Sequence, residues 1–227
     1  MITGTTRGLG RSLCEHYLAQ GDTVVGCARH PAAIDHDRYH HHVLSVADEA
    51  AVVSMVRQTA RNHGGIDVLV NSAGIASMNL FMLTPVAKMR EIYETNVMGC
   101  FVVSREVAKV MSRAGSGRIV NIGTIAVPLK LKGELAYASS KNAVVTMTRI
   151  MAEELAPHGV TCNAVGPGAI KTDLLKGVPD ETVAALIEKQ AIKRHCECSD
   201  VSNVIDFFIR PESDFVTGQV IYLGGVS

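Results

Sequence analysis

Short apolar runs alternate along the chain with longer stretches in which apolar positions recur every three or four residues. The runs Thr23–Cys27, Ile66–Val70, Arg118–Ile122, Val160–Ala164 and Gln219–Leu223 predict strands. Leu9–Gln20, Asp48–His63, Val86–Arg113, Ala136–Pro157 and Asp200–Arg210 carry the helical period. Alternation of the two predicts βαβ units, and therefore a Rossmann-type doubly wound parallel sheet with helices on both faces. No repeat or Pro/Gly/Ser linker interrupts the rhythm, so residues 1–227 are expected to form a single domain. The stretch 171–197 departs from the tight alternation and is expected to be a substrate loop carrying a short helix. Only Met1 and Ile2 precede the first glycine turn. Either the first strand is very short, or the true start lies upstream.

Composition narrows the function classes. Of 227 residues, 47% are hydrophobic, enough for one sizeable core. Lys plus Arg balances Asp plus Glu at 22 each, which gives no reason to expect a nucleic-acid or anionic-membrane partner. No apolar run has the length of a membrane span, and no secretory segment precedes the glycine turn. Cys14, Cys27, Cys100 and Cys162 sit in apolar or helical contexts and read as small core residues. A reduced, cytoplasmic protein is expected. His40-His41-His42 reads as a polar loop leading into a strand, and His195 to Cys198 as the closure of the substrate loop. Neither run of consecutive residues converges on one point, so no metal site is predicted. Met78, Met82 and Met89 read either as an adaptable apolar wall of the cleft or as core.

Thr3-Gly4-Thr5-Thr6-Arg7-Gly8-Leu9-Gly10 links the first strand to the first helix. Glycines there allow a tight turn and close approach of backbone to a pyrophosphate, and the helix start supplies free N–H groups. Gly4, Thr6, Arg7, Gly8, Leu9 and Gly10 are therefore candidate cofactor contacts. An acid at the end of the second strand would favour NAD(H); the strand instead runs into Arg29. Arg29 and Arg7 together suit a 2′-phosphate, which favours NADP(H) over NAD(H).

Tyr137 and Lys141 lie four apart in a helical pattern and share a face. A phenol with a pKa of ~10 is a poor proton shuttle at neutral pH. A nearby ammonium and a cationic nicotinamide would lower it; about 3 units corresponds to roughly 4 kcal/mol. Other polar residues fall at the carboxyl ends of predicted strands, where ligands bind in open parallel sheets: Thr124, Asn71-Ser72-Ala73-Gly74, and Gly166-Pro167-Gly168 followed by Thr172. Asn96 sits inside a helical stretch, an uncomfortable place for an amide without a job.

In this combination and order, Thr-Gly-x-x-x-Gly-x-Gly, Asn-x-Ala-Gly, Tyr-x-x-x-Lys and Pro-Gly resemble the short-chain dehydrogenases/reductases of the single-domain type. Thr-Gly-x-x-Arg-Gly and the closing Val216-Thr217-Gly218-Gln219 look most like the 3-oxoacyl carrier-protein reductase branch. The resemblance implies roles. Tyr137 would be the general acid in reduction and the base in oxidation. Lys141 would hold the nicotinamide ribose and lower the tyrosine's pKa. Thr124, in the place usually held by serine, would orient the carbonyl oxygen. Asn96 would anchor a water that relays protons from Lys141. Asn71, Ala73 and Gly74 would line the adenosine and ribose path. Ser45, with Val46, would stand where an aspartate usually meets the adenine. Pro167, Gly168, Ile170 and Thr172 would flank the nicotinamide. The implied activity is NADPH-dependent reduction of a ketone, with 3-oxoacyl compounds among the candidates. The alternatives are an NAD(P)-dependent alcohol dehydrogenase of a tailoring pathway and a non-catalytic dinucleotide-binding regulator. Partners follow in the same way: a small-molecule substrate and a homo-oligomer, tetramer or dimer, through the two long helices. An acyl carrier protein stays open, because Gly115 and His158 occupy the places where carrier-docking members resemble one another in being basic.

Overall fold

A computed structural model describes residues 1–172 and 178–226. Its centre is a seven-stranded sheet in the order β3-β2-β1-β4-β5-β6-β7, every neighbouring pair parallel. The strands are β1 (Ile2–Thr3), β2 (Val24–Ala28), β3 (Tyr39–Val43), β4 (Val68–Asn71), β5 (Gly117–Ile122), β6 (Val160–Gly166) and β7 (Val220–Tyr222). The helices are α1 (Gly8–Gln20), α2 (Glu49–His63), α3 (Val86–Tyr93), α4 (Gly99–Ala114), α5 (Ala126–Leu129), α6 (Leu135–Leu155), α7 (Asp180–Glu188) and α8 (Cys198–Ile209). This is the doubly wound architecture expected from the alternating pattern.

Period-two alternation sends neighbouring strand residues to opposite faces. Leu69 and Ile119 join Val107 and Met111 of α4 in one core cluster. Val70 and Val120 join Leu13 of α1 and Phe208 of α8 in the other. Between the layers, β4 and β5 pair Asn71 with Asn121. Asn71 Nδ2 donates to Asn121 Oδ1 and to Ser104 Oγ, each at 2.8 Å, and Asn121 Nδ2 donates to Thr148 Oγ1 at 2.8 Å. These buried bonds tie α4 and α6 to the strands beneath them, which fixes the helix that carries Tyr137.

Three local features depart from the sequence reading. The histidine run is not a loop: His40, His41 and His42 lie within β3 and pair with Val25, Gly26 and Cys27 of β2. On this half-exposed edge strand, ring contacts do the packing that branched side chains do elsewhere. Tyr39 donates to Thr5 Oγ1 at 2.9 Å and lies 2.8 Å from His41 Nδ1. His40 lies against His63 of α2, ring centroids 4.8 Å apart. Second, the predicted helix Val86–Arg113 is interrupted by a π turn at Glu94–Met98. Third, Ser45, whose segment Leu44-Ser45-Val46 reads from sequence as the third strand, falls in the loop after β3, where its hydroxyl accepts from Ala47 N at 3.3 Å. The first strand is short: two buried residues, both paired with β2, with Ile2 also paired with β4.

The expected substrate loop 171–197 includes 173–177, which lie outside the described residues. Beyond them it carries α7 and returns to the sheet where Cys196 bridges Ile170. Glu197 and Asp200 then form a reciprocal capping box at the start of α8, with Asp200 also gripped by both terminal nitrogens of Arg194. The expectation that His195 to Cys198 close this loop fits that placement. Among the described residues no helix is long and apolar enough to cross a membrane, and no group of three or more His, Cys, Asp or Glu gathers as a metal site.

Candidate active site

One cleft of about 670 Å³ runs along the carboxyl ends of the strands, a size that suits a cofactor and a small substrate. Its two ends are built differently, and each end follows from local sequence.

At the first end, the loop from β1 folds tightly under α1. Gly4 has φ 77°, a left-handed conformation costly for any residue with a Cβ. A Cβ on Gly10 would lie 2.2 Å from the Gly4 carbonyl oxygen, so only glycine fits. The turn is anchored to β4 by Thr3, whose hydroxyl accepts from Ser72 N at 3.1 Å and Ala73 N at 3.0 Å. Arg7, at the N-cap of α1, contributes no side-chain cap, so the first N–H groups of the helix are left to the cleft. Gly4, Thr6, Arg7, Gly8, Leu9 and Gly10 all line it. So do Arg29, Ser45 and Val46 where β2 and β3 end, together with Ala73 and Gly74 beyond β4. This glycine cradle and uncapped helix start fit the pyrophosphate of a dinucleotide, and the arginines fit an additional phosphate.

At the other end, β5 delivers Thr124 and α6 delivers Tyr137 and Lys141. Thr124 stands near the Tyr137 phenol and favours its ionised form. Burial pushes that phenol up to about 12, with the negative charge of Glu134 acting in the same direction and Thr124 opposing. Lys141 is 4% exposed and donates from Nζ to the Ile122 carbonyl oxygen at 2.8 Å. Burial brings its ammonium down to about 8. The ammonium expected to lower the phenol's pKa is thus engaged by β5, while burial holds the phenol above its ordinary value. Pro167, Gly168, Ile170 and Thr172, beyond β6, complete this end.

Two predicted residues stand behind the cleft wall rather than on it. Asn71 is buried in the polar ladder between β4, β5 and α4, so its side chain does not line the adenosine path. Asn96, 1% exposed, lies in the π turn. Its Oδ1 accepts from Ile75 N, and its Nδ2 donates to Ile75 O and Ser140 Oγ, all at 2.9 Å. Both amide hydrogens are therefore spent on clamping the loop after β4 to α6. Ser140 passes the contact on to Tyr137 O at 2.7 Å. Gly74 lets the clamp close on the lysine: a Cβ there would lie 3.3 Å from Lys141 Nζ and 3.4 Å from Asn96 Oδ1. A π turn at such a place is common near functional sites, because it aims one side chain that a regular helix would turn away. Met78, Met82 and Met89 are not in the lining; Met82 is 90% exposed.

The cleft also has walls the sequence reading missed. Ile75, Ile125, Leu131 and Leu186 face it, as do His30 and Glu134. Glu134 was detectable in principle, since it precedes Tyr137 by three residues at the start of the same helix.

Residues 4–226 match the family described as enoyl-(acyl carrier protein) reductase. The chain belongs to the short-chain dehydrogenase/reductase family. This short-chain dehydrogenase/reductase is 31% identical to the 3-oxoacyl-(acyl-carrier-protein) reductase FabG of Vibrio cholerae, over 99% of its own length and 95% of that protein. It overlays on the ligand-free aldohexose dehydrogenase of Thermoplasma acidophilum with a TM-score of 0.89 and 28% identity, covering 99% of this chain and 92% of that one. With ElxO, solved with NADP bound, the TM-score is 0.90 and the identity 27%, over 98% and 95% of the two chains. As a short-chain dehydrogenase/reductase the protein is an NAD(P)-dependent oxidoreductase acting on a carbonyl/alcohol pair.

Proposed function

We propose that the protein reduces a ketone with NADPH, the proton coming from Tyr137. The observation that carries this reading is the convergence of three groups at one end of a cleft whose other end is a phosphate cradle: phenol, hydroxyl and ammonium on Tyr137, Thr124 and Lys141. A bound nicotinamide would supply the hydride. The protein's own part is to place the carbonyl oxygen between the Thr124 hydroxyl and the phenol and to deliver a proton to it. Burial holds the phenol's pKa up, so ready delivery of its proton would depend on the Lys141 ammonium and a cationic nicotinamide approaching it. Lys141 would turn from the Ile122 carbonyl toward the ribose, and Asn96 would hold the loop and helix that aim it. The FabG relatives make 3-oxoacyl thioesters one member of the substrate panel. Purified protein given NADPH and a panel of ketones tests the reading; absence of turnover with every ketone would refute it.

NADP(H) is the cofactor that the adenosine end favours. Arg7 and Arg29 line it, and β2 ends without an acid. A charge-assisted hydrogen bond contributes about 1.5–3 kcal/mol, so Arg29→Ala should weaken NADPH about 10–100-fold and leave NADH nearly untouched. Fluorescence titration with both cofactors measures this, and equal losses for the two would show that Arg29 does not read the 2′-phosphate.

We further propose a homo-oligomer through α4 and α6. Phe101 on α4 and Ile150 on α6 are 41% and 53% exposed on helices otherwise packed to the sheet. Light scattering at micromolar concentration should give a dimer or tetramer mass; a monomer would exclude it. All six thiols are unpaired, which supports a reducing, cytoplasmic setting for the chain.

A further inference from the structure

The cleft's two ends differ in charge: one is basic, and the other pairs the Lys141 ammonium with a carboxyl group. Arg7, Arg29 and His30 line the adenosine end, whereas Glu134 is the only acidic residue in the lining among the described residues. Glu134 stands at the N-cap of α6 but makes no side-chain cap. It precedes Tyr137 by three residues, a spacing that puts Cβ atoms about 5–6 Å apart on a helix. The phenol feels its charge. Around it the wall is apolar, with Ile125, Ala126, Leu131 and Leu186. Its Oε2 is sealed from solvent and has no hydrogen-bond partner. An acceptor in that state bears its desolvation penalty with nothing in the fold to offset it. Among the described residues four other buried polar atoms share that state, but only Glu134 belongs to a residue that lines the cleft, so a ligand donor can meet its carboxyl once the side chain turns toward the opening.

We propose that Glu134 is a specificity residue that accepts a hydrogen bond from a substrate hydroxyl, so that the preferred substrates are hydroxyl-bearing ketones rather than plain aliphatic ketones or acyl chains. The inference rests on the reductase reading above and narrows its substrate class. A hydroxyl suits this site better than an ammonium. Burial raises the pKa of Glu134 toward the neutral acid. A hydroxyl can donate to the carboxylate and accept from the acid, whereas an ammonium can only donate. The short span between Glu134 and Tyr137 places that hydroxyl close to the carbonyl along the substrate chain. A carboxylate on the substrate at the same place would be repelled.

The test compares matched pairs with NADPH: hydroxyacetone against 2-butanone, and 4-hydroxy-2-butanone against 2-pentanone. Within each pair the heavy-atom count is equal and only the hydroxyl differs. The wild type should favour the hydroxyl-bearing member about 10–100-fold in kcat/KM, the range expected for a hydrogen bond to a charged group. Glu134→Leu should erase that ratio by slowing the hydroxyketone and speeding the plain ketone, a split that general damage to the fold would not produce. Glu134→Gln keeps one acceptor oxygen and should fall between. An NADPH titration reports whether each variant is folded. If Glu134→Leu binds no NADPH, Glu134→Gln decides: a reduced ratio supports the assignment and an unchanged one overturns it. Reduction of both members by the wild type with a ratio that Glu134→Leu leaves intact overturns the role of Glu134 alone. No turnover of any ketone overturns the reductase reading, and this inference with it.

Discussion

Tyr137→Phe is expected to lower kcat for ketone reduction by roughly 10²–10⁴-fold, the usual contribution of a positioned proton donor, while NADPH still binds. Tyr137 and Thr124 both line the cleft, and Thr124 favours the ionised phenol. Phenylalanine preserves that ring and removes only the oxygen. Thr124 would keep its contact with Ala126 N, at 3.2 Å, so the local turn should survive. The kinetic signature is a fall in kcat with little change in the NADPH dissociation constant, since the glycine cradle is at the opposite end. Single-turnover reduction followed at the nicotinamide absorbance separates the two quantities. A variant that turns over at the wild-type rate would move the proton donor elsewhere.

A steep loss of stability above pH 9 is the second large effect. Cys14 and Cys27, fully buried in the sheet region, have thiols pushed up to about 12 by burial. Cys100 is pushed up to about 11, and Cys162 is raised further still, for the same reason. Each of these four groups holds its proton in the folded state after the unfolded thiol, near 9, has lost it. Between those two values the unfolded chain binds fewer protons, so unfolding becomes more favourable as pH rises. Below the unfolded thiol value the contribution is fully present; it is lost progressively as pH climbs toward the folded values. Each group contributes about 1.4 kcal/mol per pH unit once well inside the window. Lys141 works the other way, because its folded value of about 8 lies below the ordinary 10.5, but it is one group against these four and Cys196, whose thiol burial pushes up to about 11. Urea unfolding followed by circular dichroism between pH 7.5 and pH 10.5 checks this sum. Stability that stays flat across that range would mean the thiols are less sealed than their positions indicate.

The parts of the molecule that were legible beforehand are those in which one residue type answers to one physical demand. A positive φ and a 2.2 Å approach leave only glycine at Gly4 and Gly10, so the turn announces itself. Tyr137 and Lys141 share a helix face by spacing alone. Buried strands such as β2, sealed over its first four residues, show as unbroken apolar runs. What stayed hidden depends on partners far away in the chain. The histidines of β3 become strand residues because Thr5 and His63 receive them, and no local pattern encodes that. The π turn leaves the apolar period of Val86–Arg113 nearly intact while changing where Asn96 aims. Asn71 has a polar character that suits a ligand, yet Asn121 and Ser104 claim it. Glu134 lacked a motif; its spacing to Tyr137 was the one sequence hint, and its unpartnered Oε2 beside the cleft adds the structural one.

The contact between Gly10 and Gly4 bears on how such chains are judged. Because a Cβ at position 10 would stand 2.2 Å from the Gly4 carbonyl oxygen, the architecture itself forbids any other amino acid there, whether or not a dinucleotide is ever held. A descendant that abandoned its cofactor would retain that glycine as long as it kept its shape. Positions without a packing duty, such as Arg29 at the rim, are free to drift once binding ceases to matter. They are the better record of whether the ancestral chemistry is still in use.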